Sequence, residues 1–556
     1  MAYNILGINP GHNGSAALIS DGVLVYYKEE ERLSRMKYDG NPFRAMLQIL
    51  EIYPINELVL GGTSPDFAKL PWTGEDAYTA LVRKFNPDVK VTNLGHQHHL
   101  GHAAGAFYNS GFDSAVAIVV DGAGSVHQVE NTAGFETESI YKCSYPGNFE
   151  PVYKRYADGN ARYFNNGVQE FDNSVTITKA YEAVSQYLGF GFIEAGKTMG
   201  LAPYGRYDSN IPPFFVEGKG NKNLLQPMYP AGALIDEDRF QYLKRTRDPK
   251  EWHRDFTKIS DKEKNLAHHI QEESQKMGGD LIERAISDGE TNVVLAGGYG
   301  LNCVANYYYL QRFPDINLYV DPVSHDGGTA IGLARLAWHI HSQSRSKDVL
   351  STLYHGLPLE YSKINQLIRS NNLKARKAGP SEVADVLLNQ EIVAIVQGKA
   401  EAGPRALGNR SILFDPRSQN GKDFVNRVKG REWFRPFAGS VLEEKASEWF
   451  DLRRMQSSPH MMYAVNVKTD KLGLIPAVTH VDGTCRVQTV NKAQNPFYYE
   501  LINAFGEKTG VPLLFNTSFN LAGEPLVETL EDAIRTIMQV DIKHLYLPEL
   551  NTLISK

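Results

Sequence analysis

Four times along this chain an apolar, strand-forming run ends in a turn of glycine beside a carboxylate or an amide. NILGINPGHNGS comes first, AVAIVVDGAGS spans 115 to 125, NVVLAGGYGLN spans 292 to 302, and INLYVDPVSHDGGTAIG starts at 316. The first holds one hairpin turn and a second follows it at Asp21-Gly22, where a tight turn needs such residues. TKAYEAVSQYLGF and EKNLAHHIQEESQKMGGDLIERAI show helical periodicity between these units. Strands ending in Gly-rich turns, with helices between them, predict an α/β fold. The texture changes around 341 to 390, where polar SQSRSKDVLS leads into a new helix–strand–loop series. The expected domains are 1–350 and 351–556.

At 556 residues the chain is long enough for more than one core. Its net charge of -6 gives no global attraction to nucleic acid or anionic lipid. MAYNILGINPGHNGS lacks the basic start and apolar run of a signal peptide. No run of eighteen apolar residues predicts a membrane span. Cys143, Cys303 and Cys485 are few, odd in number and far apart, which fits a reducing cytoplasm and argues against a zinc ribbon.

A Gly-rich turn after a strand lets backbone N–H groups approach phosphate oxygens. Gly122, Gly124, Gly297, Gly298 and Asn302 are therefore candidates for holding a nucleotide. Two halves built of such turns follow the plan of the actin, Hsp70 and sugar-kinase superfamily. GFIEAGKT, at 191 to 198, has the letters of a P-loop but follows an amphipathic helix instead of a buried strand, and Pro203 and Gly205 break what comes next. It is read as a decoy, with Lys197 kept as a candidate phosphate contact.

HHLGH places His98 and His102 four residues apart, on one face of a helix, a spacing that grips a metal ion. His99 points elsewhere, toward packing or a hydrogen bond. Asp121 ends the next strand and Asp326 sits in a further Gly-rich turn, so both are candidate ligands. Two nitrogens and two oxygens suit iron, zinc or manganese better than magnesium. His268 and His269 are expected on a polar surface.

GHNGSAAL, EEERLSRMKYD, HHLGHAA, VDGAGS, EAGKTMGLAPYG, LAGGYGLN, HDGGTAIG, GPRALGNRSIL, KGREWFRPFAG, VDGTCRVQTV and NTSFNLAGEP run in order from 11 to 525. In these stretches the chain resembles the O-carbamoyltransferases that act on nodulation factors, cephem antibiotics and aminoglycosides. The resemblance implies an N-terminal threonylcarbamoyl-transferase-like domain, actin-like (ASKHA) and built of duplicated RNase H-like halves. It also implies a C-terminal YrdC-like α/β domain. It further implies that ATP, accompanied by Mg(II), and carbamoyl phosphate give carbamoyl adenylate in the C-terminal domain. The carbamoyl group then passes to a hydroxyl acceptor in the N-terminal domain, near a metal, usually Fe(II), at His98, His102, Asp121 and Asp326. Many relatives carry His-Asp where this chain has His12-Asn13, which leaves His12 as the better candidate base.

All of these substrates are anionic, and arginine forks with a lysine point charge answer that chemistry. Arg405, Lys429, Arg431, Arg435 and Arg486 supply them in the C-terminal domain, and Asn516 and Ser518 add neutral donors. In the N-terminal domain His12 is expected to take the acceptor proton, with Lys37 or Arg35 holding phosphate or the carbamoyl oxygen. Tyr163, Phe164 and Phe171, within 157 to 176, suit stacking on a sugar-like acceptor. The expected partner is a small molecule, with a homodimer left open and neither membrane nor nucleic-acid polymer expected. A tRNA threonylcarbamoyl-type transferase would need a basic stripe that is absent. An actin-like ATPase or sugar kinase would leave the arginine-rich C-terminal third unused.

Overall fold

The computed structural model describes residues 2–129, 132–158, 162–163, 169–170, 176–191, 193–211, 213–217, 223–225 and 256–556. Phe164 and Phe171, and most of the 157–176 stretch, lie outside the described residues.

Five strands come first: β1 (Asn4–Asn9), β2 (Ser15–Ser20), β3 (Val23–Glu29), β4 (Glu57–Leu60) and β5 (Lys90–Asn93). They lie in the order β3-β2-β1-β4-β5. β1, β4 and β5 pair in parallel. The β2–β3 turn has positive φ at both Asp21 and Gly22, the twist a two-residue hairpin requires. A second sheet contains β6 (Ser114–Val120), β7 (Val126–Val129), β8 (Thr132–Ser144) and β9 (Asn148–Asp158). Short antiparallel pairs follow, β10 (Arg162–Tyr163) with β11 (Gln169–Glu170) and β12 (Phe215–Glu217) with β13 (Asn223–Leu225). β14 (Asn292–Ala296) and β15 (Asn317–Val320) complete the second sheet, ordered β15-β14-β6-β8-β7 with β9 also on β8. Here β6, β14 and β15 are parallel and β8 is antiparallel to β6. Both sheets thus place an opening strand between an antiparallel neighbour and two later parallel strands.

The third sheet is built from β16 (Lys374–Lys377), β17 (Val393–Val396), β18 (Arg410–Phe414), β19 (Ala438–Leu442), β20 (Ala464–Asn466), β21 (Thr484–Val490), β22 (Leu513–Ser518), β23 (His544–Leu547) and β24 (Thr552–Ser555). Its order is β16-β24-β23-β17-β18-β22-β19-β21-β20, with parallel and antiparallel pairs. The chain is therefore a mixed α/β protein.

It divides into two compact units. The first holds 1–11, 19–23 and 53–349; the second holds 12–18, 24–52 and 350–556. His12, Arg35 and Lys37, expected with the N-terminal domain, thus belong to the second unit. Among the described residues no helix is long and apolar enough to cross a membrane.

Candidate metal centre and buried cation cluster

In the first unit, helix His98–Ser110 crosses helix Thr329–Ser342 almost backbone to backbone. A Cβ on Gly332 would stand 2.0 Å from Gly101 O, so only glycine permits the approach. That contact brings His98 and His102 to Asp326, which lies three residues before the second helix. The hydroxyl of Ser125, past the end of β6, accepts the His98 N–H at 3.1 Å and caps the histidine helix. Asp121 is fixed from both sides. Its Oδ1 accepts the Gly298 N–H at 2.9 Å, and its carbonyl accepts the Thr178 hydroxyl at 2.7 Å.

Ligand atoms of His98, His102, Asp121 and Asp326 all lie within 4.8 Å of one another, and all four residues are buried. His98 Nε2 is 3.2 Å from His102 Nε2, 3.5 Å from Asp121 Oδ2 and 3.7 Å from Asp326 Oδ1. His102 Nε2 is 3.8 Å from the same Asp326 oxygen. The carboxylate distances are too long for strong hydrogen bonds. They match donors around a shared centre, since tetrahedral ligands about 2.1 Å from an ion stand about 3.4 Å apart. The donors and their spacing fit a metal ion.

Electrostatics agrees. Burial opposes charge on His98, but Asp326 and Asp121 outweigh it and raise the imidazole to about 10. Burial and the charge of His98 hold His102 down at about 4. Asp121 stays well below the usual carboxylate range despite burial, through its bond to His98. Two carboxylates thus demand positive charge at the centre. His99 turns away, its Nδ1 2.7 Å from the Ser139 hydroxyl.

The nucleotide candidates of this unit carry structural duties. Gly297 has φ +86, and a Cβ there would stand 2.3 Å from Val120 O. Gly298 holds Asp121, as above. Asn302 caps helix Cys303–Arg312 through the Ala305 N–H and exchanges hydrogen bonds with Gln271. Gly122 lies beneath the Lys179–Glu182 pair, and Gly124 against the His99 ring. GFIEAGKT has helix Ile177–Tyr187 before it, which is no P-loop setting, and Lys197 pairs with Glu194 at 2.8 Å. His269 corrects an expectation: it is buried and accepts the Asp208 N–H at 2.8 Å, because the polar helix packs this face inward.

The second unit gathers Lys429, Arg431, Arg435 and Arg486 of the predicted cations. Ala438 of β19 stands in register with Asn516 of β22 and Arg486 of β21, so the latter two share a face across adjacent strands. Lys429 ends helix Gly421–Lys429, is 3% exposed, and donates to the Ser518 carbonyl, to the Ser518 hydroxyl at 3.3 Å and to Asn520 Oδ1 at 3.2 Å. Every one of those acceptors is neutral. Burial, then Arg431, Arg435 and Lys37, push its ammonium well below the ordinary lysine value. Arg431 donates to Thr517 Oγ1 at 3.3 Å and is likewise pushed down by burial, Arg435 and Arg486. Arg435 meets Glu432 at 3.6 Å, and Lys37 meets Glu31 at 3.5 Å. Lys429 is thus a buried cation with neutral acceptors and other cations nearby, whereas Arg435 and Lys37 are partly exposed and each has a carboxylate.

Arg35 is spent elsewhere: its guanidinium binds the Leu526 and Pro525 carbonyls and faces Asp532 at 3.5 Å. His12 is exposed, on the turn after β1.

The sequence profile described as "Carbamoyltransferase N-terminus" matches residues 45–335, and "Carbamoyltransferase C-terminus" matches 384–556. The chain belongs to the carbamoyltransferase family. This carbamoyltransferase is 32% identical to nodulation protein NolNO of Sinorhizobium fredii, over 96% of its own length and 77% of that protein. It is 29% identical to the 3'-hydroxymethylcephem-O-carbamoyltransferase of Amycolatopsis lactamdurans, over 95% of each chain. Among solved structures, HypF of T. kodakarensis is similar over 61% of this chain and 48% of that one, at 13% identity and a TM-score of 0.36. The carbamoyltransferase is an enzyme.

Proposed function

We propose that this enzyme is an ATP-dependent O-carbamoyltransferase with a divided reaction. The second unit uses carbamoyl phosphate and ATP. For atoms to balance, water releases inorganic phosphate from carbamoyl phosphate to leave carbamate, whose oxygen displaces pyrophosphate from ATP and gives carbamoyl adenylate. The observation that carries this reading is Lys429: a buried lysine among neutral acceptors and other cations awaits an anion. Arg405, Arg431, Arg435 and Arg486 add guanidinium forks for phosphate oxygens, and Asn516 and Ser518 add neutral contacts. Catalysis here is positional and electrostatic, with no covalent protein intermediate.

The first unit receives the activated carbamoyl group, and a small-molecule hydroxyl displaces AMP from it to form the carbamate ester. The cephem carbamoyltransferase relative supports a small-molecule acceptor. His98, His102, Asp121 and Asp326 would hold the ion, Fe(II) by resemblance, and it would supply Lewis-acid chemistry there. His12, which belongs to the second unit, is the proposed base for the acceptor proton. The repeated sheet order supports an actin-like first unit, and the carbamoyl-adenylate assignment goes with a YrdC-like second unit.

The test is the half-reaction without acceptor. With ATP, Mg(II) and carbamoyl phosphate, the protein should release pyrophosphate and form a carbamoyl adenylate detectable by mass. Intact ATP, or ADP with phosphate, would overturn the reading.

A further inference from the structure

Arg405 sits in the loop EAGPRALGNR, 401–410, whose backbone groups are held one by one by side chains. The Gly403 carbonyl accepts from Arg32 Nη2 at 2.6 Å. The Ala406 carbonyl accepts from Asn516 Nδ2 at 3.2 Å. The Leu407 carbonyl accepts from Tyr354 OH at 2.8 Å and Gln488 Nε2 at 2.9 Å, and the Gly408 carbonyl from Gln397 Nε2 at 2.9 Å. On the donor side one carboxylate oxygen does most of the work. Glu401 Oε1 accepts the N–H groups of Leu407 at 2.7 Å, Asn409 at 2.9 Å and Arg410 at 3.1 Å. Loops ordinarily leave such groups to water. Here Glu401 is 3% exposed and Arg32 1% exposed, so both act where water is excluded and charge-assisted bonds are strong.

These contacts bracket Arg405. Arg32 fixes the carbonyl two residues before it, and Glu401 fixes the N–H groups two, four and five residues after it. Asn516, itself in the cation-lined site, joins the loop at the residue between. Neither Arg32 nor Glu401 belongs to the cation cluster: Glu401 is spent on backbone, and Arg32 divides its guanidinium between the Gly403 carbonyl and the carboxylates of Glu29 and Glu31.

We infer that Glu401 and Arg32 are positioning residues for the polyanion site, which hold the 401–410 backbone so that Arg405 is presented in its binding orientation. This rests on reading the cluster as the carbamoyl phosphate and ATP site. Both residues act through Arg405, so their loss should matter only while Arg405 is present.

The test is a double-mutant cycle on the full chain, read by calorimetry with inorganic pyrophosphate as the probe. Glu401→Gln keeps the shape and removes the charge, and it should weaken pyrophosphate binding about tenfold. Arg405→Ala should weaken it by at least as much. The double variant should bind no worse than Arg405→Ala alone, because coupled residues are not additive. A purely structural role would instead lower the unfolding midpoint and weaken binding equally in both backgrounds. Equal, additive losses, or no loss in Glu401→Gln, overturn the inference. If Glu401→Gln does not fold, Arg32→Lys runs the same cycle, since lysine keeps the charge and loses the guanidinium reach to Gly403. If the unaltered chain binds no pyrophosphate, the reaction reading and this inference fall together. Binding with additive losses overturns this inference alone.

Discussion

Lys28 and Lys429 lie in the same unit, and each is 3% exposed, yet their company is opposite. Lys28 meets Glu528 at 2.6 Å, and around it Arg32 faces Glu29 at 3.1 Å and Glu31 at 3.5 Å. Arg410 there spends its guanidinium on backbone carbonyls of Gln397, Gly398, Asn409 and Glu528. Lys429 has neutral acceptors and other cations. A cation with its own carboxylate is part of the scaffold, whereas one surrounded by like charge is, on the proposed reading, the one that takes the ligand. Burial alone does not separate the two; the sign of the neighbours does.

The strongest way to break this comparison is to replace both lysines by methionine. Lys28→Met leaves Glu528 buried without its partner, and should lower the unfolding free energy by about 3–5 kcal/mol in a denaturant titration. Pyrophosphate affinity measured on the folded fraction should change little. Lys429→Met should do the reverse. It removes a buried charge that lacks a carboxylate, so stability should hold or rise, while pyrophosphate release should drop about 10²–10³-fold. Similar stability losses in the two variants would erase the distinction.

A third expectation concerns pH. The folded Lys429 ammonium lies below its unfolded value of 10.5, so the unfolded chain binds more protons between the two. Lys429 therefore opposes folding fully below its folded pKa, and that cost is relieved as pH rises toward 10.5. A polyanion pulls the pKa back up, so pyrophosphate binding should take up protons within this window. Calorimetry in buffers of different ionisation enthalpy should show the uptake, and Lys429→Met should lose it.

The smallest effect sharpens the contrast between units. A chelator that empties the His98, His102, Asp121 and Asp326 centre should change acceptor-free pyrophosphate release by less than about twofold, while abolishing transfer to an acceptor. His12→Ala should behave in the same way, whereas Arg435→Ala should lose the half-reaction itself. Equal loss of both steps in every case would argue for one site.

The gathering of His98, His102, Asp121 and Asp326 was legible because helical spacing and strand ends are local: HHLGH dictates one face, and VDG and HDGG place a carboxylate at a turn. The α/β architecture followed from the same strand-and-turn periodicity. What bonds the cations was not legible. Arg35 and Lys37 sit two residues apart in one charged segment, yet Arg35 binds carbonyls near 525 and Lys37 acts on Lys429. Glu401 looked like one acid in a loop, and its three N–H donors depend on how that loop closes. The helix cap that the Asn302 side chain makes was not read from the sequence. His269 sat in a polar stretch whose buried face no periodicity revealed. Ser125 could have been suspected, since it is a hydroxyl in the turn that carries Asp121, whereas Thr178 lies 57 residues on, in helix Ile177–Tyr187, with no local signal.

The Lys28–Glu528 pair also sets a schedule. The two residues are 500 positions apart in sequence. At ribosomal rates of about 5–20 residues per second, the segment around Lys28 emerges about 25 to 100 s before its carboxylate exists. During that interval EEERLSRMKYD has its charges exposed to solvent, and this keeps a nascent stretch from sticking to others. A charge network finished only by late-made residues acts as a check on synthesis, because Lys28 has no Glu528 to pair with until that later residue has been made.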